Sequence, residues 1–278
     1  MLKMMDMDSR DVRRRAPQAT SAKIEAVATA SAIIDFLAES EQPVGVQHTA
    51  ATLGMTKSRA SRHLANLESL GLVMRNPSGR GFQLGWRVMR WGQIASARLD
   101  FARTLEESLQ QLGARINRTV LLCAPAGGDA IVVNCIPAQS GIRIDVKIGL
   151  VLSLPHSPTA RVCYAFQQRE QRQAQLAELQ AREPDFRVEN EAQFMRQVAD
   201  IQRNYYCWDR DKYGLGYAAI AAPVFNQNAE LVAAIAIMLP SSELDSSLGD
   251  HVRELLISAE RCSRLLRSRM KYPIPPMR

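Results

Sequence analysis

Two groups of side chains in this sequence could do chemistry, and each suits a different task. The first is a dense run of donors, Thr56, Lys57, Ser58, Arg59, Ser61 and Arg62. Lysine, serine and arginine at this density bind phosphate, and arginine also reads a guanine edge through two parallel hydrogen bonds. The second group is looser. Cys163, His156 and Asp209, with His251 or Cys207 as alternates, are the residue types of a thiol nucleophile, its base and an orienting acid. A catalytic thiol needs a polarised, accessible sulfur, whereas Cys163 falls within the apolar run Val162–Phe166, where a buried inert thiol is the default. The sequence has no P-loop, dinucleotide fingerprint or metal-ligand cluster, so no catalytic residue, cofactor or metal is expected.

The donor run needs a frame to present it, and the flanking residues describe one. A short helix is expected from about Gln47 to Leu53, stopped by Gly54, which tolerates the positive φ of a tight turn. Thr56 then caps a second helix running to about Leu70, where Gly71 ends it. On that helix Ala60, Leu64 and Leu67 share one face at i, i+4 and i+7, leaving the donors near its N-terminus outward. Leu72–Met74 and Phe82–Leu84 read as paired strands around the turn-rich segment 76–81, with Arg75 beside this hairpin and Arg80 at its tip. Helix, turn, helix and hairpin in this order predict a winged helix-turn-helix, with the second helix in a major groove of double-stranded DNA. The expected DNA-binding residues are Thr56, Lys57, Ser58, Arg59, Ser61, Arg62, Arg75 and Arg80. His63 reads equally as a packing residue or a DNA contact. The competing reading of the whole run is a basic, solvated helix.

Charge favours the DNA reading. Residues 1–98 hold 14 Lys/Arg against 8 Asp/Glu, while 99–278 hold 21 against 20, so nearly all of the net +7 lies in the first third. The scattered cysteines form no CxxC pair, no apolar run approaches the roughly 18 residues of a membrane helix, and the N-terminus lacks an apolar signal core; a cytoplasmic protein is expected.

Four regions follow: a disordered arm (1–20), the winged helix-turn-helix (21–84), a linker and dimerisation helix (85–99), and a C-terminal domain (100–272). The first helix starts near Ser21. The linker helix, Trp86–Leu99, carries Val88, Met89, Trp91, Ile94, Ala95 and Leu99, apolar enough to pair with a second copy. Beyond it, short strands alternate with helices. Strands are expected at 119–124, 130–137, 142–148, 205–208, 218–225 and 231–239, with hairpin turns at 126–129 and 226–228, giving a mixed sheet with helices packed on it. The fold class is α+β.

The segment from Thr52 to Leu64, with Leu67–Val73 and Phe82–Gly85, resembles the DNA-binding domain of the IclR family of transcriptional regulators. Three later segments are similar to that family's effector domain: Gly149–Leu154 leading into Thr159–Arg161, Asp209 followed by Gly216 and Ile220–Val224, and Ala234–Pro240. The resemblance implies a GAF-like α/β effector-binding domain and a homodimer, or dimer of dimers, on a roughly palindromic operator. It also implies a small-molecule effector held by Leu154, Thr159, Ala160, Arg161, Asp209, Ala219, Ala236 and Met238. In such a pocket the start of a helix at Thr159 supplies N–H donors, and Asp209 accepts a ligand hydrogen bond, or donates one if protonated. Asp209 could instead be a solvated strand end, or pair with Arg210 or Lys212. Positions often Cys or Ser in the family are Ala219, Ala236 and Met238 here, and its Gly-Lys pair is Ala160-Arg161 after Pro158. The effector is therefore expected to carry a larger apolar part, as an aromatic or cyclic organic acid does. Two alternatives stand beside this reading: a C-terminal domain used only for oligomerisation, and a thiol-dependent enzyme.

Overall fold

The computed structural model describes residues 24–77, 79–141, 143–182, 186, 188–210 and 216–276. The expected arm at 1–20, the expected helix start near Ser21, and Lys212 lie outside them. Contacts divide the chain into two compact units, meeting between Ala95 and Ser96.

The first unit contains α1 (Glu25–Glu39), α2 (Val46–Thr52), α3 (Lys57–Ser69) and a two-stranded hairpin, β1 (Val73–Arg75) with β2 (Phe82–Leu84); α4 (Trp86–Ala97) follows. Its core is Ile33, Leu37, Val44, Leu64, Leu67, Val73 and Phe82, so the apolar stripe of α3 packs inward as its spacing requires. Gly54 takes φ +63° at the turn into α3, and the Thr56 hydroxyl accepts the Arg59 N–H at 3.2 Å as the N-cap. Val44 pairs with Phe82 through two backbone bonds of 2.8 and 2.9 Å, fastening the hairpin to the segment after α1. Gly85 is fixed by proximity: its N–H donates to the Leu72 carbonyl at 2.8 Å, and a Cβ there would lie 2.3 Å from the Gly71 oxygen.

The second unit continues with α5 (Asp100–Ile116), β3 (Thr119–Ala126), β4 (Asp129–Ile136), β5 (Val151–Leu152), α6 (Pro158–Ala165), α7 (Arg169–Arg182), α8 (Val188–Asn204), β6 (Cys207–Arg210), β7 (Tyr217–Phe225), β8 (Leu231–Pro240) and, after a 3-10 turn at Ser241–Glu243, α9 (Leu244–Leu265). Among the described residues the sheet order is β5-β4-β3-β8-β7-β6, and every pairing is antiparallel. The expected mixed sheet is therefore corrected to an antiparallel one. A parallel pair needs a crossover between adjacent strands, and the helical excursion α6–α8 instead joins β5 and β6 at opposite edges. The strand expected at 142–148 is also absent from its described residues. That stretch is irregular, and Val151–Leu152 supplies the edge strand.

Alternation along β7 and β8 sorts side chains by face. Ala218, Ile220, Ala222, Ile235, Ile237 and Leu239 pack with Leu105, Leu109 and Leu112 of α5 and with Val252, Leu255 and Leu256 of α9. Ala221, Ala234 and Ala236 face the other way, onto Val162 and Cys163 of α6 and Phe194 and Val198 of α8. Alanines on this face let α6 lie close beneath the sheet, where every one of its residues is buried.

The close approach at Gly85 makes a stability prediction. Gly85→Ala should lower the unfolding free energy of the first unit by about 1–3 kcal/mol through overpacking against backbone. The measure is the urea midpoint followed by Trp86 fluorescence, and an unchanged midpoint would refute the contact.

Candidate DNA interface and ligand cavity

On α3, the buried residues are Ala60, Leu64 and Leu67, and the exposed ones include Lys57, Ser58, Ser61 and Arg62. The exposed set occupies the first two turns, where the helix also presents N–H groups and the positive end of its dipole. Thr56 is exposed at the cap. Arg59 differs from the sequence expectation of an outward donor. Its guanidinium reaches back to α1, bonded to Glu25 Oε1 at 2.6 Å and Thr29 Oγ1 at 3.2 Å, because the register of α3 turns it partly toward that helix. The pair is largely solvent-exposed, so it is worth about 0–1 kcal/mol. His63 is half-buried.

At the hairpin, Arg75 lies with its guanidinium carbon 4.6 Å from the centre of the Phe82 ring and its Nε 3.3 Å from Glu68. Arg80 stands exposed in the loop. Gly79 N–H donates to the Asn76 carbonyl at 2.8 Å, and Asn76 N–H to the Gly81 carbonyl at 3.0 Å, so this loop has its own internal order.

In the second unit, a cavity of about 360 Å³ opens where the sheet extends past the start of α6. Its walls are Leu150–Ser153 around β5, His156–Thr159 at the start of α6, Asp209 and Arg210 of β6, Tyr217–Ala219 of β7, and Met238 of β8. Ala219 and Met238 are register partners, which brings them to one spot from two strands. The side chains of Leu150, Val151, Leu152, Tyr217 and Met238 make most of the wall apolar.

Of the effector residues expected from sequence, Thr159, Asp209, Ala219 and Met238 line this cavity; Leu154, Ala160, Arg161 and Ala236 do not. Each displacement has a reason. Leu154, after the strand and before a cis peptide to Pro155, turns into the apolar core, as does Ala236, which lies under the body of α6. Ala160 is buried in α6, its N–H taken by the Ser157 hydroxyl at 3.4 Å. Arg161 is only 3% exposed. Its guanidinium bonds Asp209 and reaches Gln197 Oε1 at 3.1 Å and the His156 carbonyl at 3.2 Å. Asp209 is thus paired with a buried arginine three residues past the first residue of α6, and its Oδ1 also accepts the Arg210 N–H at 2.8 Å.

Sequence reasoning missed Tyr217, although two-residue periodicity from Ala219 could have found it. It also missed Gln197, for which the sequence carries no signal. The thiol candidates are not assembled into a nucleophilic site. Cys163 is buried in the α6 core, and desolvation pushes its pKa up to about 12. Burial likewise raises Cys123 and Cys135, and takes Cys262 to about 11. His251 sits on α9, across the sheet from Cys163, with Nδ1 2.9 Å from the Ser247 carbonyl; burial lowers its pKa. Among the described residues no cluster of three metal-ligating side chains occurs, and no helix is long and apolar enough to cross a membrane.

Comparison with known proteins agrees with this division of the chain. Residues 26–77 match the family model of the IclR helix-turn-helix domain, and 93–264 match that of the bacterial transcriptional regulator IclR C-terminal domain. The HTH-type transcriptional regulator KipR of Bacillus subtilis is 26% identical over 185 residues, 66% of this chain and 74% of its own. The fold is shared with an IclR family regulator from Brucella abortus at 20% identity, with a TM-score of 0.71 covering 86% of this chain and 91% of that one. It is shared too with an IclR homologue from Microbacterium hydrocarbonoxydans complexed with 4-hydroxybenzoate, at 16% identity and a TM-score of 0.67 over 87% and 99% of the chains.

The thiol geometry predicts an order of reactivity. Iodoacetamide at pH 8 should label Cys135, which is partly exposed, before the buried Cys123, Cys163, Cys207 and Cys262. Peptide mass spectrometry of the native protein reads this directly, and fast labelling of Cys163 would restore the catalytic reading.

Proposed function

The chain belongs to the IclR family of bacterial transcriptional regulators, and from that premise we propose that it binds a specific operator through α3 and the hairpin, under the control of a small metabolite held in the C-terminal cavity. The observation that carries the DNA reading is the joint exposure of Lys57, Ser58, Ser61 and Arg62 in the first two turns of α3, while Ala60, Leu64 and Leu67 of the same helix are buried. Arg62 and Ser61 are assigned to base edges, Lys57, Ser58 and Thr56 to phosphates near the helix start, and Arg80 to the adjacent backbone or groove. Arg59 and Arg75 join once they exchange their present partners for DNA.

The metabolite reading rests on the cavity itself, which lies within the usual range for small-molecule sites and has mostly apolar walls with few polar groups. The 4-hydroxybenzoate bound by the Microbacterium homologue supports a ligand role for this fold. It is also the reason to prefer a sensing domain over one used only for assembly. No residue of α4 is buried, and Trp86, Met89, Trp91 and Ile94 are exposed along it. We assign this apolar surface to a homodimer contact that sets two reading helices on a two-fold operator. The working compartment is the cytoplasm, where the DNA is, and no catalytic step is assigned. We divide the chain for these tasks as an arm at 1–20, a reading domain at 21–84, a linker at 85–99 and an effector domain at 100–272.

Fluorescence anisotropy with duplexes from upstream of the protein's own gene tests the reading. One duplex should bind well above random DNA, with affinity falling steeply as salt rises. Arg62→Ala should cost about 1–3 kcal/mol on that duplex and less on random DNA. Equal affinity for every duplex, or an Arg62→Ala variant with unchanged discrimination, refutes the assignment.

A further inference from the structure

The charge balance around the cavity specifies the chemistry of its ligand. Two guanidinium groups stand beside it among the described residues, and each already faces a carboxylate: Arg161 is bonded to Asp209, and Arg210 to Asp245 of α9. Arg161 cannot easily change partner. Its side chain is 4% exposed, and Gln197 at 3.1 Å and the His156 carbonyl at 3.2 Å hold it from two further directions. The start of α6 adds little for an anion. Pro158 has no N–H, the Ala160 N–H goes to the Ser157 hydroxyl at 3.4 Å, and the Arg161 N–H goes to the Ser157 carbonyl at 2.9 Å, which leaves Thr159 as the remaining amide of that turn. A carboxylate entering this space would lose its water against apolar walls and meet the like charge of Asp209. Arg161 is held by its buried partners, which leaves Arg210, in a solvent-exposed pair with Asp245, as the one guanidinium beside the cavity among the described residues that can turn to it.

We infer that the cavity takes an uncharged ligand, an aromatic or alicyclic body with a hydroxyl or amide donor directed at Asp209, and discriminates against organic acids. The inference rests on the proposed ligand role of the cavity and replaces the acid expected from the sequence. A carboxylate offers about four acceptor positions, so a ligand donor can join the donors already on Asp209. The apolar body fills the space between Leu152, Tyr217 and Met238. Asp209 thereby has two tasks: it cancels the charge of Arg161 and it marks where the ligand's polar end lies.

Isothermal calorimetry on the full-length protein at pH 7 tests this with matched sets that differ only in charge. 4-Hydroxybenzamide, 4-hydroxybenzoate and 4-hydroxybenzamidine form one set, and the corresponding cyclohexane derivatives form another. The uncharged member should bind about tenfold or more tighter than the carboxylate in the set that fits. Asp209→Asn keeps the shape but leaves Arg161 without its counter-charge, so it should shift preference toward the carboxylate. Tighter binding of the carboxylate or the amidine by the wild-type protein overturns the inference and leaves the sensing role intact. Binding of no member of either set, with no change in operator affinity, removes the sensing role and the inference with it. Should Asp209→Asn fail to fold, the wild-type ranking decides by itself.

Discussion

A guanidinium almost sealed from water must find a carboxylate, and Arg161 organises the C-terminal unit around that requirement. Its partners come from separate elements: Asp209 from β6, Gln197 from α8, and the His156 carbonyl from the segment leading into α6. One side chain therefore ties an edge strand and two helical segments together. Losing one member of such a buried pair typically costs about 3–5 kcal/mol, because the remaining charge has no solvent to fall back on. Nε of Arg161 has no partner, so the site is not fully satisfied even with its counter-charge in place. The same bond that fixes β6 also neutralises the buried guanidinium beside the cavity.

The cavity exists because of where the small residues fall. Ala219 and Ala221 on β7, with Ala234 and Ala236 on β8, clear one face of the sheet for a helix whose residues are all buried. Where α6 begins, at Pro158, the sheet runs on through Tyr217 and Met238 with no helix beneath it among the described residues. The opposite face carries Ile220, Ile235, Ile237 and Leu239 beside Ala218 and Ala222, and is filled by α5 and α9. A single two-residue alternation thus provides both a solid core and a vacant end. The N-terminal unit solves a different problem. Its core is small, and its charged helix face is left in solvent, as befits a surface for a polyanion.

Much of the N-terminal unit could be read from residues alone, because its signals are local. Gly54 at the turn, Thr56 at the cap, the Ala60, Leu64, Leu67 stripe and the turn-rich 76–81 segment each act within a few positions, and the described helices and hairpin follow them closely. Non-local features were harder. Antiparallel order was hidden because strand–helix alternation says nothing about which strands become neighbours, and β5 and β6 end up at opposite edges. The reach of Arg59 to Glu25 and of Arg161 to Asp209 spans 34 and 48 positions, beyond any periodicity argument. The C-terminal segment is similar: the Tyr272 hydroxyl meets Ser263 at 2.8 Å and the Pro223 carbonyl at 2.7 Å, and nothing near Tyr272 in sequence announces that burial.

Any influence of a ligand on DNA binding must be a difference in its free energy between two arrangements of the protein, since equal affinity for both shifts nothing. That narrows which cavity contacts can matter. The apolar walls from β5 and β7 belong to one sheet. Asp209 and Arg210 are different, because their partners lie elsewhere: Arg161 on α6, and Asp245 on α9. α9 is fastened along α5 by Arg115 to Glu254 at 3.1 Å and Arg261 to Gln111 at 2.6 Å, and α5 begins three residues after the last residue of α4. On the proposed sensing role, a ligand that redistributed charge on β6 would bear on the start of α9 and, through the contacts of α9, on α5. On the same reading, a ligand that only filled the apolar space would bind without that leverage, however tightly it fitted.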